Sequence, residues 1–244
     1  MLDGKTAFVT GGSGAIGSAI VRVLAREGCR VAFSFHSHEE KARTLEAELA
    51  SAGSTVRAYR LDVLDAAACQ SLAETVERDV GPVDVLINNA GIAQIMPFAM
   101  IGEKDWDLVL DVNVKGMFLV TKAFARAMIR RKRGSIVNMS SLAGLRVLEV
   151  PVHYATAKSA VIGFTLSLAG ELGRYNIRVN AIVPGMLTGG VSVNIPTKQQ
   201  EKYKDFCSLS RAGEPEEVAE LAAFLASDRS RYINAQSIFV DGGI

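Results

Sequence analysis

The chain of 244 residues is poor in the residues that build metal sites and crosslinks, with three cysteines and three histidines. Cys29, Cys69 and Cys207 stand far apart, none belongs to a Cys-x-x-Cys pair, and no His or Cys spacing suits zinc. No metal is therefore expected, and isolated thiols fit a reducing, cytoplasmic setting. Charge of one sign is lacking too. Lys and Arg number 27 against 26 Asp and Glu, so nothing global attracts nucleic acid or a membrane surface. No uninterrupted apolar run reaches the ~18 residues of a membrane span. Asp3 interrupts the place where a secretory leader needs its apolar stretch. No linker-like or low-complexity tract divides the chain, so a single domain over residues 1–244 is expected. With 49% hydrophobic and 22% charged residues, that domain has the makings of a substantial core.

Short apolar runs alternate with longer helical patterns. Thr6–Thr10, Arg30–Phe35, Val56–Arg60, Val83–Ile87, Ser135–Met139, Arg178–Ile182 and Ser237–Val240 read as seven strands. Between them, helical spacing covers about Ile16–Glu27, Glu39–Ala50, Ala66–Asp79, Lys104–Arg130, Tyr154–Leu172 and Glu216–Leu225. Continuous apolar strands separated by helices predict an α/β fold, a doubly wound parallel sheet with helices on both faces. Met186–Arg211 breaks the pattern: it is polar, rich in Lys and Gln, and has no strand signature. It reads either as a lid over a site at the strand ends, the preferred assignment, or as a plain surface insertion.

Thr10-Gly11-Gly12-Ser13-Gly14-Ala15-Ile16-Gly17 follows the first strand and opens the first helix. There a dinucleotide pyrophosphate can meet backbone N–H groups and the positive end of a helix dipole. An acid about ~20 residues further on often holds the adenosine ribose hydroxyls. Here Phe33-Ser34-Phe35-His36-Ser37 supplies none. A 2′-phosphate would meet no repulsion, and His36, Ser37 and Lys41 are near enough in sequence to contact it. NADP(H) is the favoured cofactor; the absence of an arginine leaves NADH use open.

Tyr154 and Lys158 are four residues apart in a helical pattern, which places both on one face. Tyrosine alone has a pKa near ~10, and a neighbouring ammonium is expected to lower it by favouring phenolate. Side by side, the two make a proton donor for use near neutral pH.

In these motifs the chain resembles the short-chain dehydrogenases/reductases over essentially its whole length, most of all the 3-oxoacyl-[acyl-carrier-protein] reductases and related ketoreductases. The resemblance is carried by the glycine turn, Leu61-Asp62-Val63, Asn88-Asn89-Ala90-Gly91, Asn113, Tyr154, Lys158, Pro184-Gly185 and the ending Val240-Asp241-Gly242-Gly243. It implies a Rossmann-type sheet of about seven strands. By eye Ser140 or Ser141 could serve as the catalytic serine; the family's thirteen-residue step to Tyr154 selects Ser141.

The resemblance also implies roles. Asn113, Ser141, Tyr154 and Lys158 would be catalytic: Ser141 and Tyr154 bind the carbonyl oxygen, Tyr154 protonates it, Lys158 holds the nicotinamide ribose, and Asn113 bends the long helix and holds a water linked to Lys158. Gly11, Ser13, Gly14, Ala15, Ile16 and Gly17 would cradle the pyrophosphate. Asp62 and Val63 would lie by the adenine, while Asn89, Ala90 and Gly91 shape the cleft. Pro184, Gly185, Leu187 and Thr188 would reach the nicotinamide. Ala15 departs from the family's usual glycine, and Gly189 stands where a threonine is usual, with Thr188 one place earlier.

The reaction expected is NADPH-dependent reduction of a 3-oxoacyl thioester, on acyl carrier protein or coenzyme A, as in fatty acid biosynthesis. Rival readings are reduction of another carbonyl compound, such as a polyketide intermediate, a sugar or a small ketone, and a non-catalytic cofactor-binding role. The cluster Arg130-Arg131-Lys132-Arg133 is expected either to form a basic rim near the active-site mouth that steers an acidic carrier protein, or simply to complement its helix dipole. His153 reads as a pocket-wall residue. A homotetramer pairing through the long helices is implied as well.

Overall fold

The computed structural model describes residues 1–244, the side chains at positions 193 and 194 excepted. Strand β1 (Thr6–Val9) turns into helix α1 (Ala15–Arg26), and β2 (Arg30–Phe35), α2 (Glu39–Ser51), β3 (Val56–Arg60) and α3 (Ala66–Asp79) repeat the unit. Next come β4 (Val85–Asn88), α4 (Glu103–Leu110), α5 (Met117–Arg131), β5 (Gly134–Met139), α6 (Val152–Leu172) and β6 (Ile177–Pro184). Two short helices, α7 (Thr197–Phe206) and α8 (Pro215–Ala226), precede β7 (Ser237–Val240). The strands form one parallel sheet in the order β3-β2-β1-β4-β5-β6-β7.

Parallel strands need crossovers, and the crossovers bury both faces of the sheet. One apolar layer gathers Val9, Val31, Val85 and Val137 under α1 and α8. The opposite layer gathers Phe8, Leu86, Ile136 and Val179 under α3, α5 and α6. Alternate residues of one strand thus enter different layers, as the pleat requires. Phe8 stacks on Phe124 of α5 with centroids 4.3 Å apart, and full burial of such a side chain contributes roughly 2–3 kcal/mol.

The order reverses between β1 and β4. Crossovers from these neighbours run to opposite sides, so the loops at their carboxyl ends part and leave a crevice. The glycine turn after β1 and the Asn89–Gly91 segment after β4 both open into it.

The long helix expected over Lys104–Arg130, with its bend at Asn113, runs as α4 and α5 joined through a π-helical turn, Asp111–Gly116. Its wider ring frees backbone carbonyls, and the Asn113 side chain fills that need. Asn113 Nδ2 donates to Val109 O and to Ile92 O, each at 2.9 Å. Gly116 is small because a Cβ there would lie 2.6 Å from Val63 Cγ2. Met186–Arg211 also holds more structure than its polarity suggested, a 3₁₀ turn over Gly190–Asn194 and then α7. Among the described residues, no helix is long and apolar enough to cross a membrane.

Candidate active site

The glycine turn takes its shape from two contacts that only glycine allows. Gly11 has φ +65°, in the left-handed region that favours glycine. A Cβ on Gly17 would lie 2.1 Å from Gly11 O and 2.8 Å from Asn89 Nδ2, so α1 starts pressed against the turn. Gly14 caps α1 without any side chain, and the first turn carries no acid. The leading N–H groups of α1 are left for an anion, at the positive end of the helix. Ser13, Ala15 and Ile16 occupy the same turn. These residues fit the pyrophosphate of a nicotinamide dinucleotide.

Asn89 and Thr10 lock the turn to the end of β4. Asn89 Nδ2 donates to Thr10 O and Gly11 O, at 3.0 and 3.2 Å. The Thr10 hydroxyl accepts the backbone N–H groups of Asn89 and Ala90, both at 2.9 Å. Thr10 is the positioning residue that the sequence reading passed over. Its one available signal was its place, the last residue before the glycines. Asp62 Oδ1 accepts Leu64 N–H at 2.9 Å, which holds Asp62 and Val63 in a tight turn after β3. His36 and Ser37 follow β2 and are exposed.

Strand β5 delivers Ser140 and Ser141, and helix α6 delivers Tyr154 and Lys158. Ser140 is buried, its hydroxyl donating to Lys158 O at 2.8 Å. Ser141 stands at the cavity wall beside Tyr154. Lys158 Nζ is buried, donates to Met139 O at 3.0 Å and lies 5.7 Å from the Tyr154 ring centroid. Burial pulls the Lys158 ammonium down to about 8.

The expectation that Lys158 would lower the tyrosine is not met in the protein alone. Burial pushes the Tyr154 phenol up, and the Ser141 hydroxyl offsets only part of that shift. Removal from water disfavours the phenolate more than the neighbouring groups favour it.

Asn113 Oδ1 is buried with no hydrogen-bond partner. A Cβ built on Gly91 would lie 2.5 Å from this oxygen and 3.3 Å from Lys158 Nζ. The two polar atoms therefore flank one point above Gly91, where a side chain would fill the gap. A buried acceptor facing a buried donor across a small space is suited to a bridging water.

A cavity of about 670 Å³ opens from Ser141 and Tyr154. Leu142, Val150, Leu187, Val191 and Ile195 make its wall largely apolar. Gln199, Lys202, Tyr203 and Phe206 reach it from α7, at the i, i+3, i+4, i+7 spacing of one helix face. Pro184 and Gly185 lie at its base, and the Tyr203 hydroxyl donates to Asp241 O at 2.9 Å over them. Thr188 is directed elsewhere, its hydroxyl donating to Glu214 at the start of α8. A side chain on Gly189 would begin 3.1 Å from Ala15 Cβ. The two departures from the family pattern, at 15 and 189, therefore face each other, one gaining the bulk that the other lacks.

Of the two readings of the basic cluster, the helix-end one fits the structure. The cluster lies where α5 passes into β5, at the amino end of that strand, whereas Ser141 follows the carboxyl end, roughly 20 Å of strand away. Arg131 pairs with Glu77 at 2.8 Å and Arg133 approaches Asp84 at 3.6 Å. The cluster complements the helix end and is no rim of this cavity.

A family model described as enoyl-(acyl carrier protein) reductase matches residues 11–244. The chain is 39% identical to the 3-oxoacyl-[acyl-carrier-protein] reductase FabG of Thermotoga maritima, over 100% of this chain and 98% of that protein. It is 38% identical to nodulation protein G of Rhizobium meliloti, with the same coverage. A short-chain dehydrogenase/reductase from Serratia marcescens superposes with a TM-score of 0.92 at 34% identity, covering 99% of this chain and 98% of that one. With the sheet order, the crevice and these full-length matches in agreement, the chain belongs to the short-chain dehydrogenase/reductase family of NAD(P)-dependent oxidoreductases.

Proposed function

We propose that the protein reduces a ketone to a secondary alcohol with NADPH, and that its substrate is a 3-oxoacyl thioester on acyl carrier protein or coenzyme A. The observation that carries this reading is the meeting of Ser141 and Tyr154 at the wall of a large, mostly apolar cavity. Hydroxyl donors at the wall suit a carbonyl oxygen, and the apolar lining suits an acyl chain better than a sugar. Similarity to 3-oxoacyl-[acyl-carrier-protein] reductases supports the same choice.

The bound cofactor supplies a hydride to the carbonyl carbon. Ser141 and Tyr154 donate hydrogen bonds to the oxygen as negative charge grows on it, and Tyr154 transfers its proton. Lys158, an ammonium below about pH 8, favours the phenolate left behind and holds the nicotinamide ribose. A water between Asn113 and Lys158 returns the proton. Gly11–Gly17 hold the pyrophosphate, Asp62 and Val63 the adenine, and Pro184, Gly185 and Leu187 the nicotinamide side. His36 and Ser37, with no carboxylate beside them at the end of β2, admit a 2′-phosphate. Residues 186–211 act as the lid.

The test is oxidation of NADPH and of NADH with acetoacetyl thioesters of coenzyme A and of acyl carrier protein. Rapid NADPH oxidation with slower NADH use is the expected result. Turnover of sugars or small ketones but of neither thioester would overturn the substrate class. A homotetramer is part of the same proposal, with Phe118 of α5 and Leu166 of α6, 44% and 50% exposed, in the contacts. Light scattering on a size-exclusion column reports four chains, and a monomer would refute the assembly.

A further inference from the structure

Helix α6 begins without an ordinary cap. Its N-cap is Pro151, which has no side-chain acceptor for the free N–H groups of the first turn. Ala155 N–H reaches Pro151 O at 3.0 Å, which leaves the Tyr154 N–H to find another partner. It finds the ring of its neighbour: Tyr154 N donates to His153 Nδ1 at 3.0 Å. His153 is fully buried, and its Nε2 lies 3.3 Å from Gln94 Oε1. Gln94 Nε2 donates to Asp105 Oδ1 at 3.2 Å, and Asp105 Oδ2 accepts Gly102 N–H at the start of α4, also at 3.2 Å.

The direction of this chain is fixed at its far end. An ionised carboxylate only accepts, so Gln94 turns its NH₂ toward Asp105 and its oxygen toward the ring. Nε2 must then carry the imidazole proton, and Nδ1 is free to accept from Tyr154. We infer that His153 is a positioning residue: as the neutral Nε2–H tautomer it caps α6 through Tyr154 N–H and ties that turn, with its phenol, to the segment following Gly91. Asn113 grips the same segment through Ile92 O, so the proton donor and the cofactor cleft are held to one strip of chain. The role rests on the proposed use of Tyr154 as proton donor.

A second proton on His153 would put an N–H at Nδ1 facing the Tyr154 N–H, and the cap would be lost. The groups around the ring set when this occurs. Burial lowers the His153 pKa, and Asp105 on α4 draws it partly back. Gln94 is neutral, and on α6 the next ionisable groups are Tyr154 and Lys158. The histidine is therefore neutral at pH 7. Because its folded pKa lies below the unfolded one, the stabilisation is complete above about 6.5 and is lost as pH falls.

The test combines kcat against pH from 5 to 8 with ¹⁵N spectra of histidine-labelled protein, for wild type, His153→Asn and His153→Phe. Asn Oδ1 can stand where Nδ1 stands and does not titrate. In wild type kcat should decline along an acid limb and level off roughly tenfold lower, where the protonated ring no longer caps α6. His153→Asn should lose that limb and keep more of the neutral kcat than His153→Phe, which should fall roughly tenfold with KM little changed. The spectra should show Nδ1 bare and Nε2 protonated at pH 7. His36 and His38, both exposed, are told apart from it by the loss of one signal set in the variants. A proton on Nδ1 at pH 7, an unchanged acid limb in His153→Asn, or a wild-type kcat in His153→Phe overturns the inference. If no ketone is turned over, the functional reading fails by itself, and the tautomer still decides the geometry.

Discussion

Tyr154→Phe removes the proposed proton donor while leaving the ring, and kcat for ketone reduction should fall by about 10³–10⁴-fold, within the range of general acid catalysis. The phenol sits at the cavity wall beside Ser141, and burial holds its proton in place. The variant keeps the residue-154 N–H bond to His153 and the burial of the ring, so it should fold and bind NAD(P) as wild type does. Single-turnover mixing of enzyme–NADPH with substrate separates hydride transfer from release. A variant within tenfold of wild type would mean that another group supplies the proton. The pH dependence has a definite sign as well. Tyr154 stays protonated beyond its ordinary value of 10. The reductive rate should therefore hold near neutrality and decline above about 8, where Lys158 loses the charge that favours the phenolate.

Lys158→Met is expected to move activity and stability in opposite directions. On the proposed mechanism turnover should drop by about 10³-fold, because Lys158 would no longer supply a cation to the phenolate and the nicotinamide ribose. The cofactor-free protein should nevertheless unfold at a higher temperature. Lys158 has its pKa lowered from 10.5 to about 8 by burial. Between those values the unfolded chain binds the proton and the folded chain does not, so stability rises with pH across that window. Below about 8 the fold carries the whole cost of a buried ammonium, on the order of 3 kcal/mol. Methionine removes that cost and loses the hydrogen bond to Met139 O, worth about 1–2 kcal/mol. The net gain should raise the melting midpoint by a few degrees at about 2–4 °C per kcal/mol. Calorimetry without cofactor at pH 7 checks it; a lowered midpoint would show that the ammonium is stabilised in place. Near pH 10 the gain should shrink, since the wild-type lysine is then neutral.

The alternation of apolar strands and amphipathic helices dictated the seven-stranded parallel sheet, because period and composition are local properties that survive without coordinates. The glycine turn was legible for a similar reason: Gly11 and Gly17 are required by backbone conformation and close approach. Tyr154 and Lys158 could be paired from spacing alone, since four residues on a helix bring side chains to one face. Other features depended on what lay opposite in space. A bend at Asn113 was expected from the family resemblance, but its π-helical form and the partner Ile92 O are not revealed by chain position. Arg130–Arg133 left two readings open, a rim or a complement to its helix dipole, because it precedes the strand leading to Ser141, and sequence proximity does not show that the length of that strand separates them.

What the sequence determined by itself was the fold class, the dinucleotide turn and the face carrying the phenol and ammonium, all set by short-range periodicity and backbone sterics. Only the tertiary structure decided the protonation balance of Tyr154 and Lys158, the shape of the apolar cavity, the facing of Ala15 and Gly189, and the imidazole cap on α6. Those follow from burial and from partners distant in the chain, and desolvation has no signature in the order of residues.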